Sequence, residues 1–244
     1  MCSVTDTNTF VPRSAVVTGG NRGIGAAIVQ RLVAAGHKVA SLDMGGEAPE
    51  GALGIPCNVT DAEQVEAAFA AAEQAHGPVE ILVANAGITK DQLILRMTDA
   101  EWDAVIGVNL TGVWRCAKRA SRSMIRKRWG RMVFTGSVVG LFGSAGQVNY
   151  SSSKAALVGM ARSLTRELGS RGVTANVVAP GFINTEMTAV LPDDVVAGYK
   201  AQIPAGRLGE PDEIAAAVAF LVSEDAAFIS GAVIPVDGGL GMGH

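Results

Sequence analysis

Aromatic residues are scarce, at 5% of 244 residues. That scarcity disfavours a nucleic-acid surface built on base stacking. Cysteine is nearly absent too. Cys2, Cys57 and Cys116 form no CxxC pair and no zinc spacing, and an odd set of three makes no disulfide framework. Only three histidines are present, scattered along the chain, so no metal site is expected. Neither sign of charge dominates: 20 Lys and Arg stand against 23 Asp and Glu. Nothing there points to nucleic acid or to an anionic membrane surface. No apolar run approaches the roughly 20 residues that cross a bilayer. The polar start lacks a basic segment followed by an apolar one, so no secretory signal is expected. These absences predict a soluble, cytoplasmic protein with no nucleic-acid, membrane or metal partner.

Apolar residues and glycine are plentiful: 48% hydrophobic, with 30 glycines. That is ample for one sizeable core. Short apolar runs alternate with longer amphipathic ones about six times. Strands are predicted near 15–17, 38–42, 54–59, 79–84, 131–135, 173–179 and 232–236. Helices are predicted over 24–35, 60–76, 98–128, 150–170 and 211–222. Gly36 is placed to stop the first helix, and Pro211 to start the last. Thr60-Asp-Ala-Glu and Thr98-Asp-Ala-Glu read as capping boxes. Strands apolar on both faces belong in a parallel sheet covered on both sides. The expected fold is a single-domain α/β, doubly wound Rossmann-type parallel sheet with helices on both faces, spanning 1–244. Residues 1–12 read as a flexible N-terminal extension. Residues 182–207, interrupted by Pro192 and Pro204, read as an irregular substrate lid.

Thr18-Gly19-Gly20-Asn21-Arg22-Gly23-Ile24-Gly25 follows the first strand and opens the first helix. Glycines let backbone approach a pyrophosphate, and the helix N-terminus offers free N–H groups. An ordinary tight turn would share the composition; the position after the first strand favours a dinucleotide. Asp43 ends the second strand, near the place of a ribose-binding acid. A carboxylate there accepts from both ribose hydroxyls and repels a 2′-phosphate, which favours NAD(H). Arg22 pulls the other way, since its guanidinium could meet that phosphate and admit NADP(H). The bland alternative is that Asp43 caps its own loop.

Tyr150 and Lys154 are four apart on one predicted helix and share a face. A cation beside a phenol favours phenolate. Ser137 follows the carboxyl end of a strand, where site residues gather in such sheets. Together with Thr18 to Gly25, Ala84-Asn85-Ala86-Gly87, Asn109, Asn149, Pro180-Gly181 and Thr185, these residues resemble the short-chain dehydrogenase/reductase family over almost the whole chain. The resemblance implies a catalytic tetrad of Asn109, Ser137, Tyr150 and Lys154. Ser137 and Tyr150 would donate to a carbonyl oxygen, Lys154 would hold the nicotinamide ribose and depress the Tyr150 pKa, and Asn109 would anchor a water. Asn58, Val59, Asn85, Ala86 and Gly87 would line the adenosine side. Pro180, Gly181, Ile183 and Thr185 would meet the nicotinamide. Two departures stand out: Ala84 replaces a usual asparagine, and Asn58 a frequent acid.

Within the family, Lys90 to Met97, Gly136-Ser-Val-Val-Gly140 and the segment Pro235 to Gly239 look closest to 3-oxoacyl-acyl-carrier-protein reductases. The implied substrate is an acyl thioester, with an acidic carrier protein as partner. Arg126, Lys127, Arg128, Arg131 and Arg171 are candidate cations for recruiting it. Alternatives are an NAD-linked dehydrogenase of another secondary alcohol or acyl-CoA, and a non-catalytic cofactor-binding protein. Small residues on two helices (Gly112, Ala117, Ala120; Ala156, Gly159, Ala161) would let subunits pack closely, and the family implies a homotetramer.

Overall fold

The computed structural model describes residues 11–185 and 193–242. Most of the expected N-terminal extension and part of the expected lid lie outside the described residues. Seven strands form one sheet: β1 (Ser14–Thr18), β2 (Lys38–Asp43), β3 (Leu53–Pro56), β4 (Ile81–Ala84), β5 (Gly130–Thr135), β6 (Val173–Pro180) and β7 (Val233–Val236). Their order is β3-β2-β1-β4-β5-β6-β7, and every pairing is parallel. The expected α/β doubly wound sheet is therefore what the chain forms. Strand order reverses between β1 and β4, which opens a crevice at the carboxyl edge where such folds bind ligands.

Strand alternation divides the apolar side chains between two cores. Val16, Ala40, Leu42, Leu82 and Phe134 point to one face. Ala15, Val17, Val39, Ile81 and Val133 point to the other. Helices α2 (Ala62–His76), α4 (Val113–Lys127) and α6 (Val148–Leu168) cover the first face with residues such as Phe69, Met124 and Leu157. Helices α1 (Gly23–Ala34) and α8 (Pro211–Val222) cover the second with Ile28, Leu32, Ile214 and Leu221. Each such fully buried side chain contributes roughly 1.5–3 kcal/mol of transfer free energy.

Several boundaries differ from expectation for local reasons. Helix α2 is capped by Asp61, whose carboxylate accepts from Glu63 N and Gln64 N, and not by Thr60. The predicted helix 98–128 is three pieces. Helix α3 (Asp99–Ile106) does carry the Thr98–Glu101 capping box, but a π-helical turn at Gly107–Gly112 separates it from α4. The expected irregular stretch 182–207 contains a helix, α7 (Asp193–Gln202). A one-turn helix, α5 (Val139–Phe142), also went unpredicted.

Four of the six small residues expected to serve subunit packing are spent inside the subunit. Ala117, Ala120 and Ala161 are buried in the subunit's own core. Gly112 lies against Val59, where a methyl group would meet its Cγ2 at 2.7 Å. Only Gly159 faces open space, and Ala156 is half-buried.

Candidate active site

The glycine turn joins β1 to α1 at the switch point. Gly19 and Gly23 hold φ of +64° and +52°, a region glycine enters without Cβ strain. A methyl group on Gly25 would collide with Gly19 O and stand 2.6 Å from Asn85 Nδ2. Helix α1 begins after Arg22 with no side-chain cap, so its first-turn N–H groups point unclaimed toward the crevice. Asn21 fixes the turn to the end of β2. Its Nδ2 donates to Gly45 O and Gly46 O, its Oδ1 accepts from Ser41 Oγ, and its N–H donates to Asp43 Oδ2. Asp43 also accepts from Met44 N and Gly45 N, so it does cap its own loop. One lone-pair direction of Oδ2 stays open. Arg22 is exposed and makes no ion pair among the described residues. Ile24 is partly buried against the α1 core.

Thr18 was not among the expected site residues. Its buried hydroxyl accepts from Asn85 N and Ala86 N, and Asn85 Nδ2 returns bonds to Thr18 O and Gly19 O. The loops after β1 and β4 are thus one unit. On the far side, Asn58 Oδ1 accepts from Thr60 N and Oγ1 beside nearly buried Val59. Pro180 ends β6 and Gly181 follows it; a methyl on Gly181 would strike Asp237 at 2.8 Å. Ile183 is buried and bridges to Gly209, while Thr185 lies near Gly23.

The structure brings Ser137, Tyr150, Lys154 and Asn109 together. Ser137 lies just past the end of β5, and its hydroxyl is near enough to the Tyr150 phenol to favour the ionised form. Tyr150 and Lys154 sit one turn apart near the start of α6. Lys154 Nζ is buried and donates to Thr135 O at 2.7 Å, a backbone partner with no sequence signal. It lies 5.6 Å from the Tyr150 ring centroid. Gly87 stands between them and the π turn: a methyl there would sit 3.4 Å from Lys154 Nζ and 3.5 Å from Asn109 Oδ1. Asn109, fully buried in that turn, spends its side chain on structure. Oδ1 accepts from Ile88 N, and Nδ2 donates to Ile88 O and Ser153 Oγ.

Burial is the largest influence on both Tyr150 and Lys154. Burial lowers Lys154 to about 8. Burial pushes the Tyr150 phenol up, the Ser137 bond pulls it down, and the Asp91 carboxylate pushes it up again; the net direction is upward. Tyr150 is therefore protonated at neutral pH.

The cations expected to recruit a carrier are elsewhere. Arg126, Lys127 and Arg128 end α4, and Arg171 precedes β6, all at the amino edge of the sheet. Arg131 is buried there, paired with Glu224. None of the five flanks this crevice.

Comparison with known proteins agrees with this geometry. A family model described as Enoyl-(Acyl carrier protein) reductase matches residues 19–241. The chain is 57% identical to a 3-oxoacyl-[acyl-carrier-protein] reductase, MabA, of Mycobacterium tuberculosis over 235 residues, covering 96% of this chain and 95% of the relative. It is 56% identical to the same-named protein of Mycobacterium avium, covering 96% and 92%. It is 49% identical to 3-oxoacyl-[acyl-carrier-protein] reductase FabG of Escherichia coli over 241 residues, covering 96% and 99%. With its parallel sheet, glycine turn and Ser–Tyr–Lys group in place, the chain belongs to the short-chain dehydrogenase/reductase family.

Proposed function

We propose that this chain is an NAD(P)-dependent reductase of 3-oxoacyl thioesters, of the kind used in fatty acid biosynthesis. The observation that carries the reading is Tyr150 one helical turn from buried Lys154, whose Nζ lies 5.6 Å from the phenol ring, with the Ser137 hydroxyl beside it. Two hydroxyls converging on one point suit an oxygen that becomes an alcohol. An enoyl substrate needs its proton at carbon, so the pair favours the relatives' named activity over the family model's description.

The crevice fits a dinucleotide: Gly25 leaves no room for a side chain, and the α1 N-terminus is uncapped. Asn21 to Gly25 would hold the pyrophosphate, with Asp43 and Arg22 at the adenosine ribose and Asn58, Val59, Asn85, Ala86 and Gly87 beside the adenosine. Pro180, Gly181, Ile183 and Thr185 would border the nicotinamide. When bound, that group supplies the hydride. Ser137 then holds the substrate carbonyl oxygen by a donated hydrogen bond. Tyr150, already protonated, gives its proton to the same oxygen. Lys154 holds the ribose hydroxyls and returns charge to the phenol's neighbourhood. Asn109 Nδ2 is spent on Ile88 O and Ser153 Oγ, while Oδ1 accepts only from Ile88 N and keeps a second lone pair for a water on its relay.

For cofactor choice, the open lone pair of Asp43 favours NADH, and NADPH through Arg22 is the competing outcome. Initial rates with acetoacetyl-CoA test both points. NADH at least comparable to NADPH is expected, with Asp43→Ala shifting preference toward NADPH; a strong native NADPH preference refutes the Asp43 argument. Tyr150→Phe should abolish turnover and keep cofactor binding. A homotetramer also forms part of this reading, supported by the exposed aromatic side chains of Trp102, Trp114, Phe220 and Phe228. Light scattering showing a monomer would refute it. A carrier protein docked on Arg126, Lys127, Arg128 and Arg171 would not reach this subunit's own crevice.

A further inference from the structure

The segment that follows β6 reaches across the crevice to the glycine turn before α7 begins. Its two ends are fixed by backbone. Gly181 N donates to Val236 O where β6 ends beside β7. Gly209 N donates to Phe182 O at 2.9 Å, and Asn184 N donates to Gly209 O at 2.8 Å, around the Ile183–Gly209 bridge. Thr185 then comes near Gly23. Beyond α7, Ile203 is buried against Gly238, where a methyl group would meet it at 2.7 Å, and Pro204 lies over Gly239. Ala205 N donates to Gly238 O at 3.0 Å. Gly238 and Gly239 follow β7, so both ends of the segment sit at the carboxyl edge of the sheet.

Among the described residues, the body of α7 is fastened differently. It is ten residues long with Gly198 inside, too short and too weak a helix to stand alone in water. Of its side chains over 196–202, those of Val196 and Tyr199 are partly buried and the rest are exposed. Gln202 Nε2 donates back within the helix, to Gly198 O. Tyr199 reaches out of it. Its ring lies on the Phe182 ring, with centroids 3.9 Å apart and planes 20° from parallel. Both rings are only partly buried and belong to neither core, so the contact is a clasp between two surface segments.

We propose that Tyr199 is a positioning residue whose stack on Phe182 latches α7 over the crevice and so keeps the acyl thioester beside the nicotinamide. Phe182 lies between Gly181 and Ile183, two residues of the proposed nicotinamide border, so the latch closes on the chain that lines the reacting centre. The inference takes its substrate from the reductase reading, and its latch from the ring contact alone. An aromatic stack shifts an equilibrium roughly 2- to 12-fold. That is enough to set how often α7 lifts, and weak enough to let it lift in every turnover.

Lys200, exposed and next to Tyr199, is a trypsin site inside α7. Cutting after it, followed by mass spectrometry, reads the open population, because a closed helix is not cut. Tyr199→Leu should speed that cut roughly 2- to 12-fold, and Phe182→Leu should do the same. Tyr199→Phe keeps the stack and should match the wild type. The double variant Phe182→Leu/Tyr199→Leu should be cut no faster than either single variant, since all three lose one and the same contact. Cutting after Arg122, in α4, reports global unfolding and should not change. With acetoacetyl-CoA, each Leu variant should raise KM by a similar factor while kcat stays within about twofold, and Tyr199→Phe should keep both. Equal cutting at Lys200 in the wild type and Tyr199→Leu overturns the latch, as does a double variant whose effects multiply. A faster cut with KM unmoved overturns its role in holding substrate. A wild-type chain that reduces no 3-oxoacyl thioester sinks the reductase reading, and the Lys200 cut still decides the latch.

Discussion

At Gly25 a single methyl group has nowhere to go, since Gly19 O and Asn85 Nδ2 already occupy its place. Gly25→Ala should fold, because the strands and both cores are untouched, but the turn must open. Cofactor affinity should fall at least tenfold, about 1.4 kcal/mol, as read by calorimetry; unchanged affinity would refute the dinucleotide reading of the turn. Lys154 poses the opposite trade. Its ammonium is buried with one backbone acceptor, and its pKa of about 8 lies below the usual 10.5. A lysine whose folded pKa is depressed loses stability by being charged. The penalty, on the order of 3 kcal/mol, is full below pH 8 and disappears as pH rises toward 10.5. Lys154→Met removes that penalty and forfeits one hydrogen bond, about 1 kcal/mol. Its thermal midpoint at pH 7 should exceed the wild type's, with turnover lost, and the gap should narrow above pH 8. A lower midpoint at pH 7 would show the charge is better compensated than the structure indicates.

The elements show where the sequence speaks and where it is silent. All seven strands were legible: apolar runs buried on both faces mark the inner strands, as in β4 and β6, and the half-buried edge strands β3 and β7 still carry short apolar runs bounded by glycine. Helix α7 was not, because Pro192 and Pro204 bracket a segment whose apolar residues are too few to set a period. The π turn was illegible for a different reason. Its six residues keep the amphipathic pattern of α3 and α4 running, and one extra residue per turn leaves no compositional trace. What holds it is tertiary: Asn109 bonded to Ile88 and Ser153, and Gly112 pressed on Val59. The four tetrad residues could be named from their motif, but that Thr135 O holds Lys154 and Ser153 holds Asn109 has no local signal. Asn109→Ala should therefore cost about 2–4 kcal/mol in urea unfolding, because the Ile88 N–H, the Ile88 C=O and the Ser153 hydroxyl lose their partner. It should also lower kcat through the neighbouring Lys154. A loss of kcat with stability unchanged would show that the side chain acts in chemistry and not in holding the turn.

Across the whole molecule, function and fastening occupy opposite edges of the sheet. The carboxyl edge carries the glycine turn, the Ser–Tyr–Lys group and the π turn. At the amino edge Trp129 is stacked between two guanidinium groups, Arg13 at 4.0 Å and Arg131 at 4.4 Å from its ring. Its indole N–H donates to Glu224, which also pairs both arginines, and Arg13 reaches Glu80. This cluster ties the starts of β1, β4 and β5 to the end of α8. Arg131 was expected on an exposed docking patch; burial lowers its pKa, yet Glu224 and the ring keep a cation tolerable there. Trp129→Leu removes two cation–π contacts and one hydrogen bond, a loss of about 2 kcal/mol. The sheet transmits little of it, because its length separates Trp129 from the crevice and the intervening strands are buried and paired on both sides. The midpoint of denaturant unfolding should fall accordingly, while kcat/KM for a 3-oxoacyl thioester stays within twofold of the wild type. A large drop in kcat/KM at unchanged stability would mean that the amino edge takes part in substrate delivery, and would return the cations at the end of α4 to the role the sequence first suggested.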